Sequence, residues 1–324
     1  MLTAKEILSK VNGYIESLQY MRKPETLYAP MQYVLSMGGK RIRPSLMLMA
    51  YNMYKENPET ILPTACALET YHNYTLLHDD LMDNANMRRG HQTVHVKWNA
   101  NTAILSGDSM LVLAYQRMMQ CDPAMLKPLL ELFTETALEV GEGQQYDMDF
   151  ESRTDVTEEE YIEMIRLKTS VLLACALKMG AMLAGASNAD ADNLYKFGEQ
   201  VGLAFQLQDD YLDVYGSPEV FGKAIGGDIL CNKKTFMLIN AFNRADEGLR
   251  GELMKWITAK DFDPNEKIKA VTAIYDKLGI DRLAEDRIRR YFAQGMEYLR
   301  IVGVDEERKR VLKDYTDAMM KRKY

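Results

Sequence analysis

The patterning of this 324-residue chain points to a single large all-α domain, residues 1–324, built as a helical bundle. Apolar residues recur at three- and four-residue steps nearly throughout, which is the helical period. Ile7, Val11, Tyr14, Ile15 and Leu18 form one such series, and Leu194, Phe197, Val201, Ala204 and Phe205 another. No run alternates apolar and polar residues between turn signals, as a half-buried strand would. Glycine (20) and proline (9) are scarce, so helices run long, and no linker or shift in composition divides the chain.

In chain order, the N-terminal segment MLTAKEILSKVNGYIESL reads as an amphipathic helix. Gly38-Gly39 breaks the helix that carries Tyr33 and Val34, and Pro44 suits the opening of the next. Tyr71, Tyr74, Leu76, Leu77, Leu81 and Met82 mark a buried helix around the sequence HDDLMD. DMDFESRTDV reads as a loop, followed by a capping box, Thr157 with Glu160, that starts another helix. A second apolar helix ends on QDDYLDV. The segment from Gly216 to Thr235 then holds Pro218, Gly222, Gly226 and Gly227 and is expected to be irregular, a lid beside a site. The 22 methionines suit a broad, adaptable helical core.

A net charge of −7 with no broad basic run argues against nucleic-acid binding. No stretch reaches the ~18 uncharged apolar residues of a membrane span. The N-terminus lacks the apolar run and cleavage site of a signal peptide. Cys66, Cys121, Cys175 and Cys231 show no paired spacing. They read as reduced thiols, most of them in helix interiors, of a cytoplasmic protein.

Two acidic clusters carry the chemistry: Asp79, Asp80 and Asp83, then Asp209, Asp210 and Asp213. On a helix the first and last Asp of each stand one turn apart on one face, while the middle one points about 100° away. Carboxylates within apolar helices are costly unless something pairs with them. Two such helices facing each other would hold Mg²⁺, which takes hard oxygen ligands and completes its shell with water and substrate phosphates. Basic residues accompany them: Lys40, Arg41 and Arg43 in GGKRIRP, Arg88 and Arg89 two helical turns beyond Asp79, Lys168 with Thr169 in RLKTS, and Lys223, Lys233 and Lys234 on the expected lid. Alternating sign around one cavity suits a diphosphate. Neither GxxxxGK[ST] nor GxGxxG after a strand occurs, so an ordinary nucleotide site is disfavoured. His91 and His95 stand four apart, but without a nearby third ligand they read as structural rather than zinc-binding.

GGKRIRP, HDDLMD, MRRG and FQLQDDYLD resemble the trans-isoprenyl diphosphate synthases of the polyprenyl synthetase family over about residues 38 to 235. QTVH (Gln92 to His95), SGD (Ser106 to Asp108), Gly143, Gln144 and Asp147 of a GQxxD pattern, and KT at Lys168 extend the match. The resemblance implies the isoprenoid synthase fold, a helical bundle around a central cavity, and usually a homodimer, for which helices near Gly107–Tyr115 offer apolar surface. It implies three Mg²⁺ ions held chiefly by Asp79, Asp83 and Asp209, with Asp80, Asp210 and Asp213 assisting. Lys40, Arg43, His72 and Arg89 would hold isopentenyl diphosphate. Arg88, Lys168, Lys223 and Lys233 would hold the allylic diphosphate, with Thr169 and Gln206 near the reacting carbons. Lys234 lies one place beyond the family's lysine and is left out.

The implied reaction ionises an allylic diphosphate, joins the cation to isopentenyl diphosphate, and loses a proton to the released diphosphate. Product length would follow the depth of an apolar pocket beneath Asp79. At about 1.5 Å per residue, Thr75 lies about 6 Å, Tyr74 about 7.5 Å and Tyr71 about 12 Å below it. Small Thr75 leaves space; Tyr74 and Tyr71 are both candidate floors. The expectation is a C20 (geranylgeranyl) product, with C15 (farnesyl) close behind. The rivals are a class I terpene cyclase, which carries a different second metal motif, and a non-catalytic regulatory subunit, which generally loses one Asp cluster.

Overall fold

The computed structural model describes residues 1–217 and 225–321. Among them the helices are α1 (Ala4–Ser17), α2 (Glu25–Ser36), α3 (Ile42–Asn52), α4 (Leu62–Met82), α5 (Val94–Lys97), α6 (Ala100–Met118), α7 (Pro123–Glu151), α8 (Glu158–Ile165), α9 (Val171–Leu183), α10 (Asn188–Tyr215), α11 (Gly227–Leu230), α12 (Phe236–Arg244), α13 (Glu247–Thr258), α14 (Pro264–Leu278), α15 (Ile280–Arg300) and α16 (Glu306–Met320). A π-helical turn, Arg166–Ser170, joins α8 to α9. The fold is all-α. The only strands among the described residues are the two-residue β1 (Met87–Arg88) and β2 (His91–Gln92), too short to leave an alternating pattern. No described helix is long and apolar enough to cross a membrane.

The chain forms two compact units. The first comprises Met1–Thr134, Cys175–Leu194 and Val302–Leu312. In it, α1 starts on a Thr3–Glu6 capping box and buries Ile7, Val11 and Ile15. Nearly all of α3 is buried, and Gly180 of α9 packs so closely that a Cβ would sit 2.1 Å from the Met47 carbonyl oxygen. Helix α4 is buried on several faces, as expected, and packs along α6 where Gly107 leaves room for the His78 ring; a Cβ there would be 2.2 Å from His78 Nε2.

Within this core Arg41 is not a site cation. Its side chain is 4 % exposed and pairs with Glu69 at 2.7 Å, while its second amino group donates to the Leu35 carbonyl at 2.7 Å. The pair pins the left-handed Arg41 (φ 47°) that opens α3. Removing one partner strands a buried charge, so Glu69→Ala is expected to lower unfolding stability by about 3–5 kcal/mol, measured by urea denaturation.

The second unit comprises Glu135–Ala174, Tyr195–Ile301 and Lys313–Tyr324, as far as these are described. Its core gathers Tyr161, Leu203, Leu207, Phe236, Leu253, Val271 and Tyr275. Two glycines let helices cross at the π-turn. A Cβ on Gly143 of α7 would lie 2.3 Å from the Lys168 amide nitrogen, and one on Gly202 of α10 2.7 Å from Ser170 Cα.

Several expectations need correction. The first half of DMDFESRTDV is helical: α7 runs on to Glu151 because Phe150 is 1 % exposed and Asp149 accepts from Gln145 Nε2 at 2.7 Å. Tertiary burial there overrides a turn-like composition. Arg88 and Arg89 do not continue the α4 helix; they lie on a hairpin. Cys66 and Cys175 are helical and buried, whereas Cys121 and Cys231 lie in turns. Of the expected lid, 218–224 with Lys223 falls outside the described residues, and the described remainder contains the short helix α11. Of the basic tail, Arg322 and Lys323 also fall outside them.

Candidate active site

In the first unit the site begins where α4 ends. Asp83 is its C-cap, and its amide donates to the Asp79 carbonyl at 2.8 Å, so the two carboxylates stand one turn apart. Left-handed Asn84 (φ 52°) donates to the Leu81 carbonyl at 3.3 Å, and Ala85 donates to that of Asp80 at 2.9 Å. That is a Schellman stop, which satisfies the last carbonyls and reverses the chain. The reversal returns Arg88 to Asp80, which it grips through Nε at 2.8 and 2.7 Å. Asp80 is 5 % exposed, and burial keeps it above the usual carboxylate range despite that partner. Asp79 is half-buried and Asp83 exposed, so both are more accessible than Asp80.

The hairpin pairs Met87 with Gln92 and Arg88 with His91 across Arg89 and Gly90, both at positive φ (52° and 78°), the conformation of a type I′ turn. Thr93 closes its base, donating from Oγ1 to the Ala85 carbonyl at 2.6 Å, and Tyr33 donates to the Gln92 carbonyl at 2.9 Å. Arg89 donates to the Gly38 carbonyl, its guanidinium lying where a Cβ on Gly39 would come within 2.9 Å. His91 and His95 lie on β2 and α5 rather than one turn apart on a helix.

The expected isopentenyl diphosphate set is cationic around a histidine. Burial, then the guanidinium groups of Arg43, Arg89, Arg88 and Arg41, hold the His72 imidazole well below its ordinary range, so it is neutral at pH 7. Arg43 in the first turn of α3 is pushed down to about 10 by burial and stays charged. Lys40 lies exposed on the loop before α3. Deeper on α4, Tyr71 is 2 % exposed and meets Tyr74 at 5.6 Å and Phe133 at 5.2 Å between ring centroids. Phe133 in turn meets Tyr115 at 5.0 Å, and Tyr74 meets His78 at 4.8 Å. Thr75 turns its hydroxyl to the His72 carbonyl at 2.8 Å.

In the second unit, Asp209 is half-buried while Asp210 and Asp213 are 4 % and 5 % exposed. Asp210 accepts from the Tyr161 hydroxyl, from Gln206 Nε2 at 3.2 Å and from the Phe236 amide at 3.4 Å. Burial and the neighbouring Asp228 push its carboxyl up to about 7. Gln206 also accepts from Thr169 Oγ1 at 3.3 Å, so Thr169, Gln206 and Asp210 form one hydrogen-bonded row. The π-turn that presents Lys168 and Thr169 is a device common at functional sites. Lys168 donates to Asp147 at 2.6 Å, and Lys233 lies 3.6 Å from the same carboxylate. Burial raises Asp147, but the ammonium groups of Lys233 and Lys168 outweigh it and hold the carboxyl below its usual range. Asp213 accepts from the Asp228 amide at 3.0 Å.

The sequence alone assigns no part to Asp147, Tyr161 or Asp228. Asp147 was signalled by the GQxxD spacing, but Tyr161 stands 49 residues from its partner Asp210, beyond any local pattern. Among the described residues no three or more His, Cys, Asp or Glu side chains gather into a ready metal cage. Asp79 and Asp83 in the first unit, and Asp209 in the second, are hard oxygen donors of the kind that Mg²⁺ takes one or two at a time, finishing its octahedron with water and substrate phosphate.

Residues 24–275 match the polyprenyl synthetase family. A geranylgeranyl diphosphate synthase of Methanosarcina mazei is 36 % identical over 318 residues, covering 98 % of this chain and 96 % of that one. A short chain isoprenyl diphosphate synthase of Methanocaldococcus jannaschii is 36 % identical, covering 100 % and 97 %. A crystal structure described as a geranylgeranyl pyrophosphate synthase superposes with a TM-score of 0.94 at 40 % identity over the whole of both chains. With two Asp-rich helix ends, a cation set beside each and this likeness across its length, the chain belongs to the polyprenyl synthetase family.

Proposed function

We infer that this protein is a short-chain trans-prenyltransferase that condenses isopentenyl diphosphate with dimethylallyl, geranyl or farnesyl diphosphate and releases diphosphate. The carrying observation is that both DDxxD helix ends are intact, each with its own cations, in a chain of this family. A terpene cyclase needs no second diphosphate set, and a regulatory subunit needs no second Asp cluster. We further propose that all 324 residues act as one catalytic domain, a reading supported by a family match that runs through both units.

In this reading Asp79, Asp83 and Asp209 would hold Mg²⁺, three ions in all, with Asp80, Asp210 and Asp213 assisting. Mg²⁺, when bound, supplies the positive charge that stabilises a departing diphosphate. Arg88, Lys168, Lys223 and Lys233 bind the allylic diphosphate, and Asp147 keeps two of those ammonium groups aimed. As the C–O bond breaks, its electron pair goes to the diphosphate, whose charge these side chains take up without reorganising. Thr169 and Gln206 turn fixed dipoles towards the allylic cation. Lys40, Arg43, neutral His72 as donor, and Arg89 hold isopentenyl diphosphate so that its double bond attacks that cation. The released diphosphate accepts the proton lost from the new chain.

Incubating the purified protein alone with Mg²⁺, labelled isopentenyl diphosphate and each primer tests this directly. A water-soluble, longer prenyl diphosphate is expected. A hexane-soluble hydrocarbon would indicate a cyclase, and no turnover a regulatory subunit.

We propose a C20 product, with C15 as the alternative. The support is the aromatic row at Tyr71 and Tyr74 and the likeness to geranylgeranyl diphosphate synthases. Truncating the nearer ring deepens the pocket, so Tyr74→Ala is expected to lengthen the product by at least one C5 unit, read by chromatography of the dephosphorylated alcohols. An unchanged distribution in this variant and in Tyr71→Ala removes the floor role. A cytoplasmic homodimer is also proposed. Exposed Leu105 (59 %) and Val112 (67 %) on α6 support the dimer, and four free cysteines the location.

A further inference from the structure

Lys267, in the first turns of α14, has a fully buried side chain (0 % exposed). Its ammonium donates to the Leu230 carbonyl at 3.2 Å and to Asn232 Oδ1 at 2.7 Å, and lies 4.3 Å from the Phe262 ring centroid. All three partners are neutral. Burying an ammonium group without a counter-charge is costly, and a neutral side chain could join the same elements at less cost.

What this lysine holds is the turn that leads into Lys233. Asn232 is left-handed (φ 55°), and its Nδ2 donates onward to the Ile257 carbonyl at 3.1 Å, so the turn's last residues are fixed to both α13 and α14. The start of the turn is fixed as well. Gly226 (φ 82°) donates to the Asp213 carbonyl at 2.6 Å, and a Cβ on it would lie 2.6 Å from Ile268 Cδ1 of α14. Between these anchors the Lys233 amide donates to the Asp228 carbonyl at 2.9 Å, and its ammonium reaches Asp147.

We propose that Lys267 is a positioning residue: by bonding Leu230 and Asn232 it sets where the Lys233 ammonium stands for the allylic diphosphate. This rests on the reading that Lys233 binds that diphosphate. Lys267→Met fills the same slot without donors. Asn232→Gly keeps the left-handed backbone while removing the acceptor.

Each variant is expected to raise the KM for the allylic diphosphate about tenfold, the worth of one hydrogen bond to a charged group. The KM for isopentenyl diphosphate should stay within about twofold. The deciding measurement is Lys267→Met in a Lys233→Ala background. There it should leave the allylic KM unchanged, because a residue that acts through another adds nothing once the other is gone. A full, additive effect in that background, or equal shifts of both KM values in the single variants, overturns the proposal in favour of a purely structural lysine. If Lys233→Ala alone leaves the allylic KM unchanged, the assignment of Lys233 fails, and the proposal falls with it. Should Lys267→Met not fold, Asn232→Gly in the same two backgrounds gives the answer.

Discussion

Asp79→Asn and Asp209→Asn are each expected to lower kcat by about 10³-fold or more, roughly 4 kcal/mol of lost transition-state stabilisation. Both substitutions keep size and shape and remove only the anionic oxygen that a hard cation needs. Asp79 and Asp209 are half-buried, whereas Asp80 and Asp210 are buried among fold partners. Asp80 is locked by Arg88, and Asp210 carries Tyr161, Gln206 and the Phe236 amide. Circular dichroism should therefore be unchanged while turnover at saturating Mg²⁺ collapses. A fall of less than about tenfold in either variant would contradict the assignment of that residue to the metal.

Gly39→Ala is expected to raise the KM for isopentenyl diphosphate roughly 10- to 100-fold, the loss of about 1.5–3 kcal/mol for a displaced charged donor. At φ 134° the backbone favours glycine, and a Cβ would come within 2.9 Å of the Arg89 guanidinium carbon. Arg89 must then leave the Gly38 carbonyl on which it rests. The effect should be confined to one substrate, with the allylic KM steady, and Arg89→Ala should reproduce it. Equal KM changes for both substrates would mean that Arg89 does not serve isopentenyl diphosphate.

The helical fold was legible because its signals are local. Three-and-four spacing, the Thr157–Glu160 box and the scarcity of glycine all act within a turn or two of helix. The Asp clusters were legible for the same reason, since one-turn spacing inside an apolar helix is a conflict visible in a short window. What escaped depends on chain reversal or on distant partners. Arg88 looked like a residue two turns further along α4. Left-handed Asn84 instead ends that helix and sends the chain back, so that the arginine meets Asp80. The helical state of Asp147 to Glu151 follows from the burial of Phe150, a tertiary fact. Arg41 resembled a site cation by its neighbours, yet Glu69, 28 residues away, claims it. Asp147 holding Lys168 and Lys233, and Lys267 holding the turn before Lys233, likewise join residues 21 or more apart in sequence.

In the proposed function each Asp cluster has a share in binding diphosphate through Mg²⁺. Calorimetric titration of a non-hydrolysable bisphosphonate into the wild-type protein, Asp79→Asn and Asp209→Asn, each with Mg²⁺ and with EDTA, tests it most directly. Tight binding only in the wild type with Mg²⁺ is predicted, whereas undiminished affinity in either variant, or in EDTA, would contradict it.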